Sequence, residues 1–162
     1  MNPREQQIKS VLELVNDPEI PTISIVDLGI VTKIISEKEN QAYVQLTPTF
    51  SGCPALKIME NLVSAALLNA GFNEIKVETS FETQWNSNLI SEKGLIALKK
   101  HGLAPPPKHD GYIELDVLSD MPCPLCNSRN TTLQTPFGPT LCRSIHYCNN
   151  CSNAFEAFKP VS

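Results

Sequence analysis

The sequence predicts an α+β fold: a small three-stranded sheet with two helices on one face, followed by a helical and proline-rich connector and a C-terminal four-cysteine zinc ribbon. Three observations carry this prediction. Apolar periodicity over the first half of the chain switches between helical and strand spacing, in the order helix, strand, strand, helix, strand. Prolines, thirteen in 162 residues, include a run at 105–107. Five of the six cysteines lie between 123 and 151. At roughly 150 residues per domain, the length suits one ordinary domain with a smaller appendage. The expected divisions are 1–85, 86–118 and 119–162.

The first helix opens at Asn2, a capping residue, with Pro3 at the first helical position and Glu5 completing a box-like start. Ile8, Val11, Leu12 and Val15 form its apolar stripe, and Pro18 is expected to end it. A rigid loop, Asp17-Pro18-Glu19-Ile20-Pro21, leads into Ser24-Ile25-Val26-Asp27-Leu28-Gly29. Strands are expected over 30–35, which is rich in β-branched residues, and over 42–46, which alternates. The polar stretch 36–41 is the hairpin loop between them. A second helix is expected to start at Cys53-Pro54, with Leu56, Met59, Leu62, Val63, Ala66 and Leu67 along one side. Gly71 should stop it with a left-handed cap. Residues 75–79 read as the third strand.

In the connector, Ser91 is a helix cap, and Ile90 and Leu95 are spaced to staple across it. Lys99, Lys100 and His101 occupy the last turn, which Gly102 closes. Ala104-Pro105-Pro106-Pro107 is expected to be a stiff spacer, because proline runs prefer extended geometry. Residues 113–117 alternate and read as a strand.

Composition excludes several classes. Hydrophobic residues at 41% and charged residues at 19% describe a globular chain. No apolar run approaches the ~18 residues of a membrane span, and the polar start Met1-Asn2-Pro3-Arg4-Glu5 does not read as a signal peptide. A net charge of −4 argues against a dedicated binder of nucleic acid or anionic membrane. The expected compartment is a reducing cytoplasm, where cysteines serve as metal ligands or reactive thiols more often than as disulfides.

Cys123-Pro124-Leu125-Cys126 and Cys148-Asn149-Asn150-Cys151 are two C-x2-C pairs separated by 21 residues, 127–147. Two thiolates two residues apart grip one metal ion from a single tight turn, and a second such turn supplies the other two corners of a tetrahedron. Asn127 follows the first pair and tolerates left-handed angles, and Ser152 follows the second. Strands over 131–135 and 141–147, turned by Pro136, Gly138 and Pro139, would bring the two knuckles together. A segment of ~40 residues cannot build a self-sufficient core, so a metal would supply much of its folding free energy. A thioredoxin-type redox pair predicts one C-x-x-C beside a βαβ unit, not two facing pairs. Structural zinc is the favoured metal, and four thiolates also suit a rubredoxin-like iron site.

Two cysteines remain. Cys142 stands six residues before Cys148, the wrong spacing for a knuckle. It reads either as an inert buried strand residue or as a spare ligand or transient thiolate near the metal. His146 is a further ligand candidate, although a lone histidine in a strand is more commonly solvent-facing. With Pro54 at the first helical position, Cys53 falls at the N-cap, where the helix dipole and free N–H groups favour the thiolate. Gly52 permits close backbone approach. Thr47-Pro48-Thr49-Phe50-Ser51-Gly52-Cys53-Pro54 thus reads as a loop presenting a reactive sulfur; the alternative is a buried capping cysteine without chemistry. Asp27 is the carboxylate expected near it, and by itself it also reads as a turn residue. No glycine-rich phosphate loop and no Ser-His-Asp set is readable.

The stretches at 17–21, 24–31 and 47–54 resemble the signature segments of the small iron–sulfur assembly domain found in SufT. The connector Gly102-Leu103-Ala104-Pro105-Pro106 and the ribbon ending Phe155-Glu156-Ala157-Phe158-Lys159-Pro160 narrow the resemblance to the PaaD family of phenylacetate catabolism. The resemblance implies an accessory subunit without catalysis of its own, serving the multicomponent phenylacetyl-CoA ring-epoxidising oxygenase. It implies assembly or delivery of iron–sulfur clusters, with the oxygenase's iron–sulfur reductase as client and iron–sulfur assembly proteins as partners. It carries the family's key cysteine onto Cys53 and its signature aspartate onto Asp27, and it places an extra ribbon cysteine at Cys142. Iron or a cluster would be held in transit, at a site shared between two protomers, while Cys123, Cys126, Cys148 and Cys151 keep zinc.

Two other classes compete. In one, the ribbon holds iron and transfers electrons for the oxygenase. In the other, it is a binding or scaffold module. Nucleic-acid binding ranks last, since residues 122–162 offer only Arg129, Arg143 and Lys159 against Glu156.

Overall fold

The computed structural model describes residues 1–49, 55–111, 116–119, 121–140 and 142–160. The chain divides into two compact units, Met1–Trp85 and Asn86–Ser162.

In the first unit, helix α1 spans Pro3–Leu12. Its capping box is complete: the Asn2 side chain accepts from the Glu5 N–H at 2.9 Å, and Glu5 accepts from the Asn2 N–H at 3.0 Å. Asn2 Nδ2 also donates to the Ser36 carbonyl, tying the helix start to the sheet. Asn2→Ala should therefore lower the unit's stability by about 1 kcal/mol or somewhat more, read as a shifted midpoint in urea unfolding. The helix ends five residues earlier than Pro18 alone would dictate. Residue 16 leaves it to bridge Ser24, and the Asp17 N–H donates to Ile23 O. The Asp17 carboxylate then accepts from the Glu19 and Ile20 N–H groups, so the loop is folded around a buried aspartate.

Strand β1 (Val31–Ile35) pairs antiparallel with β2 (Gln41–Leu46), and β2 pairs parallel with β3 (Glu74–Thr79), giving the order β1-β2-β3. Ser36 Oγ donates to Gln41 O at 2.7 Å, and Asn40 takes φ +65°, which closes the hairpin. The central strand alternates as a half-buried strand must, with Ala42, Val44 and Leu46 all at 0% exposure. The parallel pair requires a crossover, supplied by helix α2 (Leu56–Asn69), which buries Met59, Val63 and Leu67. The N-cap position of α2 is Ala55, not Cys53; Cys53 and Pro54 lie outside the described residues. At the other end, Gly71 (φ +101°) donates to Leu68 O and Phe72 to Leu67 O, a Schellman closure that only glycine enters without strain. Helix α1 packs on α2 and β1, and α2 packs on β3, so both helices share one face of the sheet.

In the second unit, a 3₁₀ turn at Ser87–Leu89 precedes helix α3 (Glu92–Lys100), capped by Ser91 Oγ accepting from Gly94 N–H at 2.9 Å. Gly102 (φ +89°) ends it. The expected spacer is in part a strand. Leu103–Ala104 forms β4, pairing parallel with Glu156 and Ala157. The prolines beyond are also tied down, because Asn88 exchanges two hydrogen bonds with the His109 backbone and Lys108 donates to the Asn88 and Ile90 carbonyls. The strand expected at 113–117 lies largely outside the described residues. Its last two positions belong instead to a short helix, α4 (Asp116–Ser119).

The ribbon consists of β5 (Thr131–Thr135), β6 (Arg143–Cys148) and β7 (Ala154–Phe158), and the sheet order is β4-β7-β6-β5. The second ribbon strand begins two residues later than spacing predicts. Two further strands, β7 and β4, extend the expected hairpin to four. Ala104, Met121, Cys123, Cys148, Phe155 and Ala157 form one buried cluster, against which Cys126 and Cys151 pack.

Candidate metal centre

The two C-x2-C turns have the same backbone bonding. In the first, Asn127 N–H donates to Cys123 O and Cys123 N–H donates to Ser128 O, each at 2.9 Å. In the second, Ser152 N–H donates to Cys148 O and Cys148 N–H to Asn153 O, again at 2.9 Å. Asn127 (φ +62°) and Ser152 (φ +60°) are the left-handed residues that let each turn close. Sheet pairing brings the turns together: β5 and β6 align Thr131 with Cys148, and β6 and β7 align Tyr147 with Ala154.

As a result the four sulfurs of Cys123, Cys126, Cys148 and Cys151 lie within 4.8 Å of one another. Cys126 and Cys148 are 3.5 Å apart, and Cys123 and Cys151 are 3.8 Å apart. A tetrahedron with metal–sulfur bonds of ~2.3 Å has sulfur–sulfur edges of about 3.8 Å. The donor set therefore fits one tetrahedral ion, and its four thiolates suit zinc or iron.

Hydrogen-bond donors face the sulfurs. Cys151 N–H approaches Cys148 Sγ at 3.5 Å, Asn150 Nδ2 approaches Cys126 Sγ at 3.6 Å, and Asn153 Nδ2 approaches Cys151 Sγ at 3.5 Å. The Ser128 backbone and the Asn150 amide pull the Cys126 thiol down to about 6. The Asn153 side chain lowers Cys151 as well. Cys148 goes the other way. The Cys151 N–H favours its thiolate, but burial and the neighbouring Cys126 and Cys151 sulfurs outweigh this and push it up to about 11. The protein alone thus stabilises some thiolates at this site and resists others; a divalent cation removes that repulsion and deprotonates its ligands outright.

The remaining predicted residues are placed as follows. Cys142 is buried, outside the four-sulfur group, with Sγ 3.0 Å from Thr140 Oγ1. His146 is not solvent-facing as a lone strand histidine suggests. It is 0% exposed, shares a 2.7 Å hydrogen bond between Nε2 and Ser144 Oγ, and stacks on Phe155 with ring centroids 5.3 Å apart. Burial holds its pKa below the usual histidine value. The strand alternation of Ser144, His146 and Cys148 could have shown this, since all three must share the face of a metal ligand.

In the first unit, Asp27 accepts from Ser24 Oγ at 2.9 Å, and its own N–H donates to the same oxygen. Trp85 Nε1 donates to Leu28 O at 3.0 Å and fixes the adjoining backbone. The antiparallel register places the start of β1 beside the end of β2. Thr47 N–H donates to Ile30 O at 2.8 Å, and the Thr32 and Thr47 hydroxyls meet at 2.9 Å. The segment after Asp27 and the segment that runs on toward Cys53 therefore share one sheet edge, where the parallel strands end. Cys53 itself lies outside the described residues.

Comparison with known proteins matches both units. Residues 5–78 match the iron–sulfur cluster assembly protein family, and residues 111–159 match the PaaD zinc β-ribbon domain. A protein of Escherichia coli K12, named as a component of 1,2-phenylacetyl-CoA epoxidase, is 31% identical over 98% of this chain and 94% of its own length. A protein of Porphyromonas gingivalis W83, named an Fe-S protein maturation auxiliary factor, is 30% identical over 58% of this chain and 90% of its own. The crystal structure of a domain of unknown function, DUF59, from Bacillus anthracis superimposes with a TM-score of 0.54 at 32% identity, covering 58% of this chain and 90% of that one. Among the described residues no helix is long and apolar enough to cross a membrane. Matched along nearly its whole length, with an iron–sulfur assembly unit followed by a four-cysteine β-ribbon, the chain belongs to the PaaD family.

Proposed function

We propose that the chain is a non-catalytic accessory factor that assembles or delivers iron–sulfur clusters for a phenylacetyl-CoA epoxidase. The observation that carries this reading is the joining, in one chain, of an iron–sulfur assembly unit to a tetrathiolate ribbon, together with the match to the E. coli relative along nearly the whole length of both chains. The two sulfur sites have different duties. Cys123, Cys126, Cys148 and Cys151 hold a resident zinc ion that folds the ribbon into a docking module. Cys53 offers a single thiolate to iron or a cluster in transit, with the Asp27 carboxylate at the same sheet edge. One sulfur cannot complete a cluster's coordination, so a second protomer or the client supplies the rest. Cys142 is a further candidate thiol of the ribbon. The client is the iron–sulfur reductase of the oxygenase, and iron–sulfur assembly proteins are the source.

Cys53→Ser tests the transfer role. The variant is expected to stay folded and keep its ribbon metal, while the cluster content of the co-expressed reductase falls to that of cells lacking the chain. Fully loaded reductase beside the Cys53→Ser chain removes the proposal.

A second reading, electron transfer by iron in the ribbon, draws support from the N–H groups facing the sulfurs, because such bonds tune thiolate–iron potentials. Colour separates the two: an iron tetrathiolate protein is red, and a zinc protein is colourless.

A further inference from the structure

Each sulfur of the metal centre is in short contact with one from the opposite turn. Cys126 Sγ lies 3.5 Å from Cys148 Sγ, and Cys151 Sγ lies 3.8 Å from Cys123 Sγ. Each pair joins unlike partners. Cys126 and Cys151 are partly exposed, whereas Cys123 and Cys148 are fully buried in the cluster with Met121, Phe155 and Ala157. A small oxidant thus reaches one sulfur of each pair from solvent, and a buried sulfur waits within contact distance behind it.

We propose that hydrogen peroxide converts this centre into two cross-turn disulfides, Cys126–Cys148 and Cys123–Cys151, and releases the metal. The inference rests on the resident-metal reading of the ribbon. In the first step the thiolate of Cys126 or Cys151 attacks a peroxide oxygen. An S–O bond forms, the O–O bond breaks, and hydroxide leaves, giving a sulfenic acid. In the second step the buried partner thiolate attacks the sulfenic sulfur. An S–S bond forms, the S–O bond breaks, and a second hydroxide leaves. Each disulfide therefore oxidises two thiolates and reduces one peroxide, so two peroxides consume all four ligands. The metal leaves as the dication once its thiolates are gone.

The backbone favours this pairing over linkage within a turn. Each knuckle is already closed by its own hydrogen bonds, from Asn127 N–H to Cys123 O and from Ser152 N–H to Cys148 O. Cross-turn disulfides join the two knuckles where the metal joined them. They leave the β5-β6-β7 pairing in place, so the oxidised ribbon stays folded without metal and can be recharged by a dithiol and zinc.

The test uses the full chain carrying Cys53→Ser and Cys142→Ser, so that only the four ligands react. Metal content is measured first. Hydrogen peroxide is then titrated, with released metal read by a chromogenic chelator and linkages mapped by fragmentation mass spectrometry. The expected result is complete metal release at two equivalents of peroxide, a mass loss of four hydrogens, and the linkages 126–148 and 123–151. Dithiothreitol with zinc should restore the starting metal content. Linkages 123–126 and 148–151, sulfinic products, or metal retained through excess peroxide overturn the inference while leaving the resident metal standing. A chain isolated without metal overturns both.

Discussion

Cys148→Ser is expected to empty the tetrathiolate centre and unfold the ribbon sheet while the first unit stays folded. Cys148 is at 0% exposure, ends β6, and belongs to the buried cluster as well as to the donor set. A serine hydroxyl is a poor ligand for a soft, thiolate-selected ion, and it leaves three sulfurs facing an incomplete tetrahedron. Structural zinc in small domains supplies about 10–16 kcal/mol of apparent binding free energy, against net domain stabilities of about 5–15 kcal/mol. Loss of the ion therefore outweighs what the sheet retains. The chain has one tryptophan, Trp85, and it lies in the first unit. Its fluorescence should stay native in Cys148→Ser and in chelator-treated wild type. Amides of β5, β6 and β7 should lose hydrogen-exchange protection in both. Protected ribbon amides in a metal-free, reduced chain contradict the expectation.

Trp85→Ala should be the most damaging single change in the first unit. The side chain is 1% exposed, and its indole N–H satisfies the Leu28 carbonyl from 57 residues away. Truncating a buried tryptophan costs about 3–5 kcal/mol in lost packing. The orphaned carbonyl adds about 1–3 kcal/mol where water cannot replace the donor. The effect should reach the site, because Leu28 follows Asp27 and precedes the left-handed Gly29 (φ +79°). Trp85→Phe keeps most of the ring packing and loses the hydrogen bond, so its penalty should be distinctly smaller. Urea unfolding followed by circular dichroism orders the three proteins; equal midpoints for wild type and Trp85→Ala refute the packing argument.

Features written in local code are legible in the sequence. Asn2, Pro3 and Glu5 specify a capping box from residues within one turn, and Gly71 marks the end of α2 for the same reason. The metal centre is also local at each half, since a C-x2-C turn closes on its own backbone; only the meeting of the halves needs the sheet. What escapes a linear reading is nonlocal. Strand β4 is two residues between a helix-ending glycine and three prolines, and its partner is β7, some fifty positions later. No short-range pattern announces such a pairing. Helix α1 stops before its proline because Asn16 and Asp17 are drawn to Ser24 and Ile23. His146 is misplaced when residue type is weighed above its register with Cys148. The proximity of the Asp27 and Thr47 segments follows only from the β1–β2 register.

The central claim is that two sulfur sites act separately, one holding a resident ion and one handling cargo. Metal analysis of the full chain, purified without oxygen, beside its Cys53→Ser variant tests this most directly. One tightly held ion per chain in both proteins is the predicted result. A wild type with no bound ion, or a Cys53→Ser chain that has lost it, contradicts the claim.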